Sequence, residues 1–544
     1  MVASALSLLM ATMAQSADLV TLEHANTLEF KKEILPDAQV LRGDVTFKHE
    51  GATMRCDSAH FYSKSNSFDA FGNVRMKQGD TLFVYGDVLH YDGGTKYARL
   101  RGNCKLINRD ASLVTDSLDY NRTTQTGFYF TGGQLSDQTN TMTSIYGQYC
   151  TTTKMADFRG DVRVLSPDAA LAAPTIGYST QKKTVYFTSP TVIEYKGETS
   201  GYTEQGHYDT ERKYLFASRK SKIDRVDKSH LEADTLIYDE RKGEAWCHGN
   251  ANVDVPKHHV SIKADYIYLY QNPDSTAIAQ SQKPGDTTDV SKAKAEYKNV
   301  CSRFALATKR AVAMEYSSRD TLYLSADTLL AYEQMSDTTI KQAYGMHNTR
   351  FYRRDAQGTC DTLQFYAPDT TITMKHKPVL FSDTTQLRGE VIEAKLDTGF
   401  RPYRVDVKVW ASGVMRDDST HYNEVEGKSL VAHLENGKLR HVVVEGNAEA
   451  IYTARDEDKE LIGVNRSETS KIDIYLKENE LEKIVMTPAS SGVLYPETMM
   501  PEDKRHLNRF VWLEELRPKN GEDLWRRNQD YLPKETRTSR HKSK

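Results

Sequence analysis

Aspartates that return at a fixed interval are the first residues here whose type and spacing could do chemistry. Asp57, Asp87, Asp116, Asp234 and Asp265 each open an alternating apolar stretch, at intervals of 30, 29, 118 and 31 residues. Carboxylates grouped in a groove could act as general acid and base on a glycan. The repetition argues against that. A catalytic residue occurs once, whereas a residue that returns with every period punctuates a repeat. Each Asp shares the parity of the apolar residues that follow it, so it cannot lie free on an apolar face. It is expected at a turn or bulge, its carboxylate accepting nearby backbone N–H groups. His258-His259 is the only histidine pair, and neighbours in a strand point to opposite faces, a poor metal site. The chain has no nucleophile elbow, P-loop or zincin motif and no cysteine or histidine pattern of zinc-ligand spacing. No enzyme activity, metal or cofactor is expected.

The elements that carry these aspartates are marked by a second signal, Gly followed by Asn or Asp and an alternating strand. It stands at Gly43-Asp44, Gly72-Asn73, Gly102-Asn103, Gly160-Asp161 and Gly249-Asn250, at intervals of 29, 30, 58 and 89 residues, close to multiples of 29. Two and four positions after these glycines come Val45 and Phe47, Val74 and Met76, Cys104 and Leu106, Val162 and Val164, Ala251 and Val253. Thr46, Arg75, Lys105, Arg163 and Asn252 lie between them. After the aspartates come Ala59 and Phe61, Leu89 and Tyr91, Leu118 and Tyr120, Leu236 and Tyr238, Ile267 and Leu269. Strict alternation marks strands with one buried face. Gly-Asn and Gly-Asp suit the positive-φ positions of tight hairpin turns, which would start each new strand. The pattern implies an all-β fold, a repetitive antiparallel meander of about three short strands per repeat and eight or so repeats. No helix stands between strands, which excludes parallel βαβ architecture.

The 544 residues allow two to four domains. Mean hydropathy is −0.63, against a continuous globular core, while 31 tyrosines favour strands over disorder. A net charge of −3 gives nucleic acid no global attraction. Residues 1–17 read as a secretory signal whose start is truncated, with an apolar run ending in small residues but no basic segment before it. A first β domain spans 18–271 and a linker or irregular insertion 272–298. A second β domain spans 299–496, keeping the Asp signal at Asp327-Thr-Leu329 and Asp361-Thr-Leu363 and the Gly signal at Gly446-Asn-Ala448-Glu-Ala450. The rest, 497–544, holds one short amphipathic helix (Leu507, Phe510, Val511, Leu513, Leu516) and a basic tail. The six cysteines fall at different phases of the repeat, so stacking would not pair them, and single buried thiols are expected.

Phe71-Gly-Asn-Val74, Glu232-Ala-Asp-Thr-Leu-Ile-Tyr238 and Lys263-Ala-Asp-Tyr-Ile-Tyr268, on a period near 29, resemble the OstA/LptA family of lipopolysaccharide-transport proteins. The likeness is strongest over about 38–270. It implies export to the periplasm, with association at the outer membrane, and a V-shaped antiparallel jelly-roll whose apolar interior carries lipid A acyl chains. Tandem OstA-like blocks without a membrane-barrel C-terminus imply a carrier or scaffold, not the outer-membrane translocon. On this reading Val45, Phe47, Ala59, Phe61, Val74, Met76, Leu89, Tyr91, Leu118, Tyr120, Leu236, Tyr238, Ile267 and Leu269 line a lipid groove. Partners would be lipopolysaccharide, the translocon, and other transport proteins or a second copy pairing at the strand edge near 38–50. Without the resemblance the same residues would pack a dry sandwich core.

Two other classes compete: a β-helical protein that binds or degrades polysaccharide, and a β-repeat surface adhesin. Inward Phe61, Tyr91 and Tyr120 favour lipid; outward tyrosine clusters with unrepeated carboxylates favour glycan. Arg42-Gly-Asp44 and Arg159-Gly-Asp161 spell an adhesion tripeptide but sit on the repeat's own turn. The Asp-Ser/Thr-apolar triplets resemble an O-glycosylation acceptor, at positions where the repeat already demands those residue types.

Overall fold

The computed structural model describes residues 19–30, 36–272, 301–317, 320–334, 340–435, 438–456, 458, 460–477, 480–488 and 490–525. The expected signal at 1–17, nearly all of the expected linker and the basic tail lie outside them. Two compact units are present: Met1–Val226 with Asp234–Asp239, and Asp227–Ala233 with Glu240–Lys544. The described residues hold 36 strands, six 3-10 turns and no α-helix. No helix among them is long and apolar enough to cross a membrane, which says nothing about crossing by strands.

In the first unit the repeat is built from long strands: Gln39–His49, Ala52–Tyr62, Ser67–Gln78, Leu82–Asp92, Tyr97–Asn108 and Ala111–Asn121. They pair antiparallel, each with the next. Two such strands and their turns fill one period, where about three short strands were expected. The reason lies in the glycines. Gly72 (φ 78°) and Asn73 (φ 44°) do adopt positive φ, but in mid-strand. Register shifts between Phe71 and Val74 there, and likewise between Arg42 and Val45 and between Arg101 and Cys104. Each Gly-Asn or Gly-Asp is a left-handed bulge that bends a continuous strand and does not end it.

The recurring aspartates sit opposite these bulges. Asp57 accepts a hydrogen bond from Asn73 Nδ2 at 2.8 Å, and Asp87 one from Asn103 Nδ2 at 2.7 Å. Their partner is a side-chain amide of the next strand, where backbone N–H groups were expected. Inward parity also slips at each Asp. Met54 and Cys56 are buried before Asp57, Ala59 is buried after it, and Asp57 itself is exposed. The carboxylate therefore escapes the apolar face that period-2 alternation assigns it. Where the Gly signal degenerates, the long strand breaks into short pieces: Thr126–Tyr129 and Gly133–Ser136, then Thr184–Phe187 and Thr191–Tyr195.

Gln39–His49 is not an open edge. Thr21–His24 and Thr27–Glu29 pair with it, placing Leu22 opposite Phe47 and Leu28 opposite Leu41. Short strands of this kind blunt the edge expected at 38–50. The core beneath is close-packed from Val20 to Phe187, with Phe47 stacked on Phe68 at 4.1 Å. Polar groups pair within it. Arg122 donates to Tyr91 Oη at 2.7 Å and to the Glu50 carbonyl at 3.2 Å. Asp137 accepts from Tyr178 Oη (2.5 Å), Lys183 Nζ (2.9 Å) and the backbone N–H of Thr139 (2.8 Å) and Asn140 (2.9 Å). Burial alone would raise the Asp137 carboxyl, but these bonds, led by Tyr178, hold it below its ordinary 3.8. A carboxyl depressed by folding stabilises fully above its unfolded pKa and ceases to as pH falls through the folded one. The first unit is therefore expected to lose stability on acidification below about pH 4. Asp137→Asn should lower stability at pH 7 by about 2–4 kcal/mol and flatten that acid limb in urea melts; an unchanged limb would contradict this.

The second unit keeps the glycine at Gly249-Asn250 and Gly446-Asn447, but elsewhere forms the same bulge without it. Lys309-Arg310 (φ 60°, 54°) and His347-Asn348 (φ 61°, 52°) take the left-handed pair. Arg310 Nε binds both Asp265 oxygens (3.1 and 3.0 Å), and Asn348 Nδ2 donates to Asp327 at 2.7 Å. Its longest strands are Lys438–Arg455 and Leu461–Lys477. The helix expected after Pro501 does not form. The stretch holds 3-10 turns at Glu502–Lys504 and Glu514–Leu516, because strand side chains satisfy its backbone instead. Glu424 accepts from Leu507 N, Gln386 donates to the Val511 carbonyl and accepts from Leu513 N, and Arg350 donates to the Leu516 and Asp523 carbonyls. Leu507, Leu513 and Leu516 are buried as the pattern implied, but from a strap and not a helix.

Candidate functional site: an apolar cavity in the second unit

Of the residues expected to line a groove, Val45, Phe47, Ala59, Val74, Met76, Leu89, Tyr91, Leu118 and Tyr120 are all buried in the first unit's core, and Phe61 is half-buried. Arg75, Lys105 and Arg163 are exposed. Leu236 is buried, but Tyr238, on the same parity, is 37% exposed. Alternation sets which face a side chain takes; it does not supply the residues that cover it. In the second unit Leu269 is half-buried against the cluster of Cys247, Ile267 and Leu329.

Of that expected set, Ile267 alone lines the large cavity of the second unit, whose volume is about 890 Å³. Successive strands supply its walls. Ile262 and Ile267 come from Val260–Gln271, Ala305 and Ala307 from Cys301–Glu315, and Leu324 and Leu329 from Leu322–Gln334. Leu363 and Phe365, Ile372 and Met374, Leu387 and Ile392 follow from the next strands. Leu430 and Ala432, Val442 and Ala450, Ile472 and Ile474 complete it. The even spacing within most pairs is the strand period turned to one side. Several lining residues belong to motifs visible in the sequence: Ile267 lies in Lys263-Ala-Asp-Tyr-Ile-Tyr268, Leu329 and Leu363 end Asp-Thr-Leu triplets, and Ala450 ends Gly446-Asn-Ala448-Glu-Ala450. The remaining positions follow a less regular repeat, and only alternation marks them.

A cavity of this size falls within the range of small-molecule sites. Its apolar walls offer water few partners, so filling it with hydrocarbon is favoured by about 0.8 kcal/mol per CH₂. Charged groups among the lining residues are few: Lys341, whose Nζ pairs with Glu333 at 3.2 Å; Arg353, paired with Asp355 at 2.5 Å; Glu315, Asp383, Glu424 and His258. No group of acidic, histidine or cysteine side chains able to hold a metal occurs among the described residues.

All six cysteines are free, and five are buried. Burial pushes Cys56, Cys247 and Cys301 up to about 12 and Cys104 up to about 11. Cys150 is only partly buried. Burial raises its thiol, but bonds from Thr153, Thr152 and Thr126 outweigh this and bring it below its ordinary value. Since the thiolate is the nucleophile, iodoacetamide at pH 8 should label Cys150 first in the folded protein. Mass spectrometry finding a buried thiol labelled before it would refute the packing described.

No curated protein matches the chain. Residues 17–174, which include the long bulged strands of the first unit, match the family model described as OstA-like protein. Over that stretch, less than a third of the chain, the protein is similar to OstA-like proteins.

Proposed function

We propose that this protein is a non-enzymatic periplasmic carrier or scaffold for acyl lipid in lipopolysaccharide transport to the outer membrane. The observation that carries the reading is the apolar cavity, joined in one chain to an OstA-like domain. The binding residues are those of its walls, with Ile267 shared with the set read from alternation. In the first unit the inward residues hold the frame against which lipid-handling partners dock. Those partners are other transport proteins, the translocon or a second copy, meeting the chain by strand addition beyond Thr21–Glu29.

Photo-crosslinking in cells tests this. A benzophenone side chain at Leu363 or Ile472 should capture lipopolysaccharide, and one at Arg75, Lys105 or Arg163 should not. Capture at the outward positions, or at neither set, would contradict the proposal. Capture of glycan alone would favour the polysaccharide-binding alternative.

A further inference from the structure

Resting on the reading that the cavity holds acyl chains, its mouth adds a constraint on the head group. Strand register brings the lining carboxylates Glu315, Asp355, Asp383 and Glu424 to one end of the walls together with Arg353, and that end is taken as the mouth; Lys341 lies at the other end of the same strand, Ile340–Arg353. Both cations are engaged. Lys341 is held by Glu333 at 3.2 Å. Arg353 donates to Asp355 through Nε at 2.5 Å and Nη2 at 3.0 Å, and to the Phe400 carbonyl at 2.9 Å. Glu424 is bonded to His506 Nδ1 at 2.5 Å and to Leu507 N at 2.8 Å. Asp355 and Asp383 are exposed.

Recognition of a phosphate calls for guanidinium or ammonium groups free to fork onto it. Here the one guanidinium is already forked onto a carboxylate, and a phosphomonoester at the mouth would meet further negative charge. We infer that the cavity selects cargo through its acyl chains alone and discriminates against a phosphomonoester head. The class of ligand it favours is an acyl lipid with an uncharged or zwitterionic head. A phosphorylated glycolipid would enter by its chains with its phosphates held out in solvent, away from the protein.

A matched pair differing in one phosphate tests the inference on the full chain: a monoacylglycerol and its 3-phosphate, each below its micelle concentration. Displacement of an apolar fluorescent dye reads both. At low ionic strength the neutral lipid should bind about tenfold more tightly, and 1 M salt should narrow the gap by screening the mouth. Asp355→Asn, which frees Arg353, and Asp383→Asn should each narrow it as well, with circular dichroism confirming unchanged strand content. Equal or tighter binding of the phosphate ester at low salt overturns the inference, as does a gap that neither substitution moves. Binding of the phosphate ester alone would do so while leaving the acyl-lipid reading intact. If neither lipid displaces the dye, the acyl-lipid reading itself fails.

Discussion

Leu430→Asp is expected to abolish acyl-lipid binding. Leu430 is 1% exposed, lines the cavity, and sits in register between Val407 and Val444. A carboxylate placed there has no partner and must either lose its charge or draw water into an apolar wall, at a cost of several kcal/mol. At 1.4 kcal/mol per tenfold, binding should weaken by about a hundredfold or more. Part of that cost would fall on folding, so lipid binding must be read beside a urea melt. Leu430→Met, which conserves volume, should cost less than about 1.5 kcal/mol of stability and keep the lipid. Full binding by the Asp variant would place the lipid elsewhere.

The second large effect is expected at the bulge ladder of the OstA-like domain. Gly72 has φ 78°, and a Cβ built there would come within 2.5 Å of Asp57 Oδ2. Gly72→Ala therefore combines left-handed strain of about 1–2 kcal/mol with a clash that pushes the carboxylate off Asn73. A loss of about 2–4 kcal/mol is expected. Asp57→Ala alone should cost about 1–2 kcal/mol, that of one charge-assisted hydrogen bond. Because it also removes the clashing atom, the double variant should be less destabilised than the two single losses together, by about 1 kcal/mol. Additive losses in urea midpoints would mean that glycine and aspartate do not meet as described.

The same ladder shows how far the sequence could be read. Period, alternation and antiparallel pairing were all legible, since each depends on neighbours along one strand. The place of the glycines was not. A hairpin turn and a mid-strand bulge both require positive φ, and what separates them is the partner opposite: Asp57 for Gly72-Asn73, Asp87 for Gly102-Asn103. Reading them as turns led to about three short strands per repeat instead of two long ones. The parity slip at each Asp was hidden for the same reason.

For the cavity, alternation named inward residues in both units without telling a filled interior from an open one. Filling is a matter of volume. Phe47, Phe68, Tyr91 and Tyr120 occupy the first unit's interior to nearly zero exposure. The second unit faces its cavity with Ala305, Ala307, Ala313, Ala394, Ala432 and Ala450 among longer aliphatic residues, which leaves space between the walls. No single residue type marks the difference in the sequence, since the first unit's core also holds Ala59, Ala70, Ala98 and Ala111 and the cavity walls also hold Phe351 and Phe365. The strap after Pro501 was misread as a helix because its leucine spacing fits one, whereas the groups that bind its backbone, Gln386, Glu424 and Arg350, lie far away in sequence.

Whether the cavity holds acyl lipid can be measured most directly by filling it. The full-length protein and Ala432→Phe, which places a ring among the cavity walls, would be purified from the native cell, and their bound lipid extracted and quantified by mass spectrometry. Circular dichroism and a urea melt would confirm that both fold. Acyl lipid near one equivalent in the native protein, reduced by tenfold or more in the filled variant, is the expected result. Equal lipid in both, or none in the native protein even after incubation with an acyl lipid, would contradict a lipid-carrying cavity.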